Sequence, residues 1–467
     1  MVHSKQGVLA FANLGRRRVE ADFSAGRVSS DGGALLLSET DRRLRLTERL
    51  ANCFVDYRNQ NRTDHTLREL IAQRVYGLAL GYEDLNDHEL LSSDPMLATI
   101  VGKVDPDGRG RVRGKDAGKA LASPSTLGRI ERTKEDADGK SRYEKIVCDF
   151  DALAALFVEL FIESFEHAPG VVVIDLDPSD VELHGNQEQR FYQGYYRHYC
   201  YLPLYAYCDE HPLGFRLRPS DIDGAKGADA MVLDTFRQLR AAWPEVRVVV
   251  RGDSGFCRDW LMRACEAIPG LDYVFGLARN ERLTGAIAKQ MEQARREYLR
   301  SGEPARRYRD FSYRTLDSWS RRRRVIGKAE YLAKGANPRF IVTSLPACEY
   351  EKRYLYEEFY CARGEMENRI KEQQLDLFGD RASSHTFRGN EVRLWLSMAA
   401  QLLIVGLRRL ALKGTELAKA QASTLRLRLL KIGALVTVSV RRVYVRLSSA
   451  FPHRHLFRIA LKRLRAS

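Results

Sequence analysis

At 467 residues the chain is too long for one small core, and a hydrophobic fraction of 44% is enough to pack two or three domains. Lys and Arg number 76 against 61 Asp and Glu, a formal net charge of +15 that points to a polyanionic partner, nucleic acid foremost. The eight cysteines include no CxxC pair, which excludes a zinc ribbon or a thioredoxin-like site. With no leader-like segment and no apolar run of about 18 residues, a cytoplasmic protein without a membrane partner is expected.

Residues 1–150 are expected to form a mainly helical DNA-binding region. GVLAFANLG reads as a strand. Thr63 or Asp64 then caps a helix whose apolar positions Leu67, Leu70, Ile71, Val75 and Leu78 repeat at helical spacing. GYEDLND breaks it and HELL begins a second helix; such a pair is either a DNA-reading unit or a packing module. The Gly- and cation-rich stretch 103–119 reads as a mobile basic loop. In LASPSTLGRIE, Ser123 or Ser125 caps a helix presenting Arg129, positioned for a phosphate or simply solvated.

Residues 151–280 carry an α/β pattern. The helix DALAALFVELFIESFEHA leads into VVVIDLD, a β-branched run ending at Asp177. FYQGYYRHYCYLPLYAYC follows, with tyrosines 199, 201, 205 and 207 on one parity and aliphatic residues or cysteines on the other. Period two predicts a strand, read as a core element or as a base-stacking platform. DEHP turns it back into LGFRLRP, a helix over 226–242 returns the chain to VRVVVRG, and that strand delivers Asp253. A helix over 258–267 and the strand YVFGLA complete this part.

Residues 281–345 read as a β-rich insertion of Arg- and Tyr-rich alternating segments after a long polar helix. The run Arg321 to Arg324 is a solvated edge, or else it clamps a phosphate backbone, Arg321 and Arg322 foremost, while Trp319 stacks on an unpaired base. Residues 346–412 hold a helix with Glu367 and a strongly apolar helix from about 391. Residues 413–467 form a basic tail: after Glu416 there is no acidic residue, while twelve Lys or Arg follow, which suits DNA contact or general solubility. VTVSVRRVYVRL within it suggests a short hairpin or strand.

Asp177, Asp253 and Glu367 together suggest a divalent-metal site, since hard cations need only a few carboxylate oxygens. Singly, each has a plainer reading. Asp175 or Asp177 can pair with a cation in the core, Asp253 can accept turn N–H groups, and Glu367 can pair with Arg363 or Lys371 on its own helix. On that helix Arg363, Glu367, Lys371 and Gln374 share a polar face, with Met366 and Ile370 on an apolar one.

In order and spacing, IDLDPSDVELHGNQE, FYQGYYRHYCYLPLYAYC, VVVRGDSGF, YVFGLARNERL and YCARGEMENRIKEQQLDLF, with LASPSTLGRIE upstream, resemble bacterial insertion-sequence transposases of the DDE type, most closely the thirteen-eighty insertion-sequence family. The resemblance implies an α/β fold: an RNase H-like mixed sheet flanked by helices, with the β-rich insertion and the helical N-terminal DNA-binding region. It implies metal-dependent cleavage at transposon ends and transfer of the 3′-OH into target DNA, with a stand-alone nuclease or a non-catalytic DNA-binding relative as alternatives. Asp177, in an Asp-Pro-Ser context, is the implied first metal ligand with Asp175 as the alternative, Asp253 the second and Glu367 the third. They would hold two Mg²⁺ ions, for which Mn²⁺ substitutes, about 3.5 to 4 Å apart. A family signature of Tyr, Arg, Glu and Lys maps onto Tyr360, Arg363 and Glu367, but Gln374 stands at the Lys position, with Lys371 one turn earlier. The implied partners are double-stranded DNA, as inverted repeats and target, and a second copy in a synaptic homodimer, in the bacterial cytoplasm at the nucleoid.

Overall fold

A computed structural model describes residues 7–111 and 114–466. The chain divides into two compact units, Asp149–Met398 on the one hand and Met1–Cys148 with Ala399–Ser467 on the other.

The Asp149–Met398 unit is built on a nine-stranded mixed sheet. Its main strands are β1 (Val171–Pro178), β2 (Leu204–Cys208), β3 (His211–Arg216), β4 (Arg247–Gly252), β5 (Leu271–Leu277), β6 (Ala305–Tyr313), β7 (Arg323–Leu332) and β8 (Arg339–Thr343). Their spatial order is 3-2-1-4-5-8-7-6, with the short strand Gly335–Ala336 beside β7. β1, β4 and β5 run parallel, and the remaining neighbours pair antiparallel.

Period-two alternation divides the sheet into two apolar faces. On one, Val172, Ile174, Leu176, Val248, Val250 and Phe275 pack with helices α1 (Phe150–Glu163), α2 (Ala228–Ala242) and α3 (Asp259–Glu266) through Phe161, Phe236 and Leu261. The Asp149 carboxylate caps α1 by accepting from the Ala152 N–H at 2.9 Å. On the other face, Val249, Val274, Ile326 and Ile341 pack against Leu355 and Tyr356.

Three stretches singled out from the sequence take definite places in the fold. The strands expected over 281–345 are present and belong to the large sheet: β8 pairs with β5, and β7 and β6 extend it outward, with Val325, Ile326, Ile341 and Val342 buried. The tyrosine-rich segment is three strands. It breaks at Leu202-Pro203, so His198–Tyr201 pairs in a small separate sheet with Val181–Glu182 and Phe191–Gln193, while β2 joins the large one. The helical stretch Phe387–Leu412 is long and apolar enough to cross a membrane, yet 89% of its most apolar window is buried inside the protein, so it is a core helix.

In the other unit, the helix Leu67–Leu80 starts two or three residues later than expected, at Thr66, which forms a capping box with Glu69. Every residue from Leu70 to Leu80 is buried, so this helix packs and offers no face to a DNA groove. Much of the 103–119 loop is anchored: Asp107 is buried and paired with Arg27 at 3.1 Å, and Lys103 pairs with Glu69 at 2.8 Å; positions 112 and 113 lie outside the described residues. The basic tail is folded: Ala434–Ser439 and Arg442–Leu447 form the hairpin its alternation suggests, and Leu456, Ala460 and Leu464 bury one face of Arg454–Arg465.

Candidate active site

The alternation that sends Ile174 and Leu176 into the helix-covered core leaves Asp175 and Asp177 on the opposite face of β1. β4 runs parallel beside β1 with Arg251 opposite Asp175. Asp253 is two residues beyond Arg251, as Asp177 is two beyond Asp175, so neighbouring strand ends carry both carboxylates on one face.

The two aspartates of β1 have different surroundings. Asp175 is buried and its two oxygens accept from Arg251 Nε and Nη2 at 2.5 and 2.7 Å. Burial raises its pKa and the Arg251 guanidinium opposes the rise. Arg251 also donates through Nη1 to the Phe359 carbonyl, so this pair ties β1 and β4 to the covering helix. Asp177 lies at the edge of the core with its side chain 20% exposed. Burial pushes its carboxyl up to about 7; Asp253 and Glu367 add to the rise and Arg363 opposes it. Asp253 caps the tight turn Ser254–Phe256, accepting from the Gly255 N–H at 2.8 Å.

Glu367 arrives on α4 (Gly364–Lys371). Ahead of α4 the chain winds through π-helical turns over Leu355–Tyr360 and a 3₁₀ turn over Cys361–Arg363. Pitch changes of this kind recur at functional sites. Met366 and Ile370 are buried and Glu367 and Lys371 exposed, as the helix periodicity predicts. Arg363 binds two of the acidic groups at once: Nη1 donates to Asp177 at 3.1 Å and Nη2 to Glu367 at 2.9 Å. Burial works against its charge, but Asp177, Tyr360, Glu367 and Asp253 together hold its pKa above the ordinary value. One guanidinium thus faces all three carboxylates.

Two further contacts fix the helix against the strand ends. Gly276 on β5 leaves room for Tyr360: a Cβ there would lie 2.7 Å from the Tyr360 hydroxyl and 2.8 Å from the Ser254 nitrogen. Gln374, at the position where the resemblance implies lysine, donates to the Asp180 carbonyl at 3.0 Å and the Ser179 hydroxyl at 3.3 Å. It is spent on the turn that follows Asp177.

Other candidates lie elsewhere. Trp319 is corrected to a core residue: it is 3% exposed, packed edge-on against Tyr313 and covered by Arg323, so it has no face free for a base. Arg321 is exposed but paired with Glu266 at 2.8 Å, and Arg322 is exposed. Arg129 is half-buried on Pro124–Arg132, over the Tyr143 ring.

Sequence reasoning missed Arg251, although it shares the parity of Asp253 at the end of VVVRG. It also missed the hydrogen bond between His198 and Asp180 at 2.8 Å and the Tyr196 hydroxyl on the Pro178 carbonyl at 3.4 Å, both beside the Asp177 turn; no local pattern marks these.

The carboxylates that accept from Arg363 are those of Asp177 and Glu367, oxygen groups of the kind a hard divalent cation takes as ligands. Among the described residues no three His, Cys, Asp or Glu side chains are drawn together as a metal cage. Arg363 lies between Asp177 and Glu367 and supplies positive charge to both.

The family Transposase DDE domain group 1 matches residues 11–467. No curated protein sequence matches the chain. Among solved structures, the chain is similar to piggyBac transposase in a cryo-EM synaptic complex with hairpin DNA, at 10% identity and a TM-score of 0.41, covering 86% of this chain and 79% of that one.

Proposed function

Since the chain belongs to the family Transposase DDE domain group 1, we propose that Asp177, Asp253 and Glu367 are the acidic triad with which it cleaves DNA at transposon ends and transfers the strand to a target. The observation that carries this assignment is Arg363, which bridges Asp177 and Glu367 and also feels the charge of Asp253.

The three fit a divalent metal by their donor chemistry, and we assign them two Mg²⁺ ions with Mn²⁺ as a substitute. When bound there, divalent metal supplies positive charge for an attacking water or 3′-hydroxyl and for the departing oxygen. The protein's own groups do the rest. Asp177 and Asp253 are presented by adjacent strand ends of one sheet, so their positions are set by the core. Glu367, 47% exposed on a helix, keeps more freedom to follow the substrate. Arg363 offsets part of the triad's negative charge before substrate arrives, and its planar fork suits a phosphate once DNA is bound. Lys371, exposed at the end of α4, adds a second cation on the same side, and Tyr360 buttresses the Asp253 turn through Gly276.

The RNase H-like reading is supported by an antiparallel triplet, β3, β2 and β1, followed by parallel β4 and β5, with acidic residues at the ends of β1 and β4. The segments quoted in the sequence support membership of the thirteen-eighty insertion-sequence family within the DDE transposases. A DNA-binding role for the unit of residues 1–148 and 399–467 is supported by exposed Arg16, Arg17 and Arg18 on its Leu9–Ala21 hairpin and by the cations of its C-terminal helix. A synaptic homodimer at the nucleoid is the assembly that pairing two ends requires. Asp177→Ala, Asp253→Ala and Glu367→Gln proteins are expected to bind end DNA and fail to nick it in Mg²⁺; normal nicking by any of them removes that residue from the triad.

A further inference from the structure

Beside the Asp177 turn, the chain builds a small hairpin that the proposed chemistry does not use. Strands Phe191–Gln193 and His198–Tyr201 pair with Tyr192 opposite Tyr199, joined by a turn in which Arg197 takes a left-handed conformation. One side of the hairpin is pinned: Cys200 is fully buried, Gln193 donates to the Ser220 carbonyl at 2.7 Å, and His198 pairs with Asp180. The Tyr196 hydroxyl reaches the Pro178 carbonyl, one residue after Asp177. The other side is open at Tyr192 and Tyr199, while Tyr201 at its end is buried against Phe387. Tyr192 is 57% exposed and Tyr199 43%, edge-to-face at 5.6 Å, and Tyr195 at the tip is 84% exposed. Arg190 lies over the Tyr199 ring at 4.5 Å, putting a cation on one face of that ring and leaving the other for stacking.

We propose that Tyr192, Tyr195 and Tyr199 form a stacking surface for unpaired DNA bases next to the phosphodiester cut at the triad. Exposed rings on a freely moving loop would lose entropy on binding, but these stand on a hairpin held by its buried side, so little ordering remains to be done. Aromatic faces accept any base, and a neighbouring guanidinium serves the backbone, the combination that single-stranded nucleic acid sites use. The location supplies the reason for unpaired bases: a strand entering the Asp177 site must part from its complement for both its phosphodiester and its bases to be held. The surface takes the role expected of Trp319, which the core has claimed. The inference rests on the proposed active site only for its location.

The test measures binding of the full chain, in metal-free buffer at fixed salt, to fluorescein-labelled oligothymidine of about twenty nucleotides and to a duplex of the same length. The triple variant Tyr192→Ala, Tyr195→Ala, Tyr199→Ala is expected to weaken oligothymidine binding by about tenfold or more and duplex binding by less than about twofold, since each stacked ring is worth about fivefold upward. Tyr195→Ala, at the most exposed position, is expected to show part of the loss without any effect on melting, and Tyr195→Phe none of it. Unchanged oligothymidine affinity in the triple variant, equal loss for duplex, equal loss in Tyr195→Phe, or no oligothymidine binding by the wild type would each overturn the proposal. Asp253→Ala separates the two readings: if it still nicks end DNA the triad assignment falls, while the binding results decide the stacking surface on their own.

Discussion

Asp175 and Asp177 are one pleat apart on the same face of β1, and neutralising them is expected to have opposite effects on stability. Asp175→Asn leaves Arg251, 6% exposed, as an uncompensated charge in the core. Breaking a buried pair from one side costs about 3 to 5 kcal/mol. At about 2 to 4 °C per kcal/mol for a unit of this size, the melting temperature should fall by roughly 10 °C. Asp177→Asn removes a charge that burial and two neighbouring carboxylates disfavour. Its folded pKa of about 7 lies above the ordinary 3.8. The penalty therefore grows as pH rises from about 4 to 7 and is complete above 7, where it amounts to at most about 4 kcal/mol. With 20% of the side chain exposed, about 2 kcal/mol is the realistic gain at pH 8, falling towards nothing at pH 4. Thermal melts of both variants in EDTA at pH 8 and pH 4.5, alongside nicking in Mg²⁺, check this. Asp177→Asn melting below the wild type at pH 8, or Asp175→Asn melting within about 2 °C of it, refutes the division of roles.

The remaining predictions concern residues around the same sheet. Burial also pushes Glu391 up to about 7, with Arg388 and the Leu217 N–H opposing, against an ordinary 4.5; Glu391→Gln should therefore stabilise the protein by on the order of 3 kcal/mol at pH 8 and hardly at all at pH 4.5, as read from urea melts. Gly276→Ala places a methyl group against the Tyr360 hydroxyl and the Asp253 turn, and should lower the nicking rate by about tenfold with end-DNA affinity retained, a 1 Å misplacement near the reacting groups being worth that much or more. Trp319→Ala should cost about 3 to 5 kcal/mol in urea melts through the cavity it leaves, with the affinity of the folded protein for oligothymidine unchanged.

What could be read from the sequence is what the chain carries along itself. VVVIDLD and VRVVVRG are β-branched runs whose parity fixes the faces of Asp175, Asp177 and Asp253 before any partner is known. Met366 and Ile370 likewise mark the buried side of α4 and so the open side of Glu367. What escaped depends on a partner from a distant segment. Nothing near Asp175 announces Arg251, because the pairing exists only once β1 and β4 lie parallel in one register. Arg323, beside Trp319 in the basic run, looked like a phosphate clamp, but Glu266 and Asp259 take its guanidinium into the core and draw Trp319 with it. The tyrosine stripe failed for a different reason. Its parity persists across Pro203, yet a proline has no N–H for the ladder, so the strand must end there. That break is what separates Tyr205 and Tyr207, sealed in the large sheet, from Tyr192 and Tyr199, left open beside the Asp177 turn. The change in strand pairing at one proline therefore parts the tyrosines of the large sheet from those of the small one, where packing on Phe387 still buries Tyr201 and only Tyr192 and Tyr199 stay exposed.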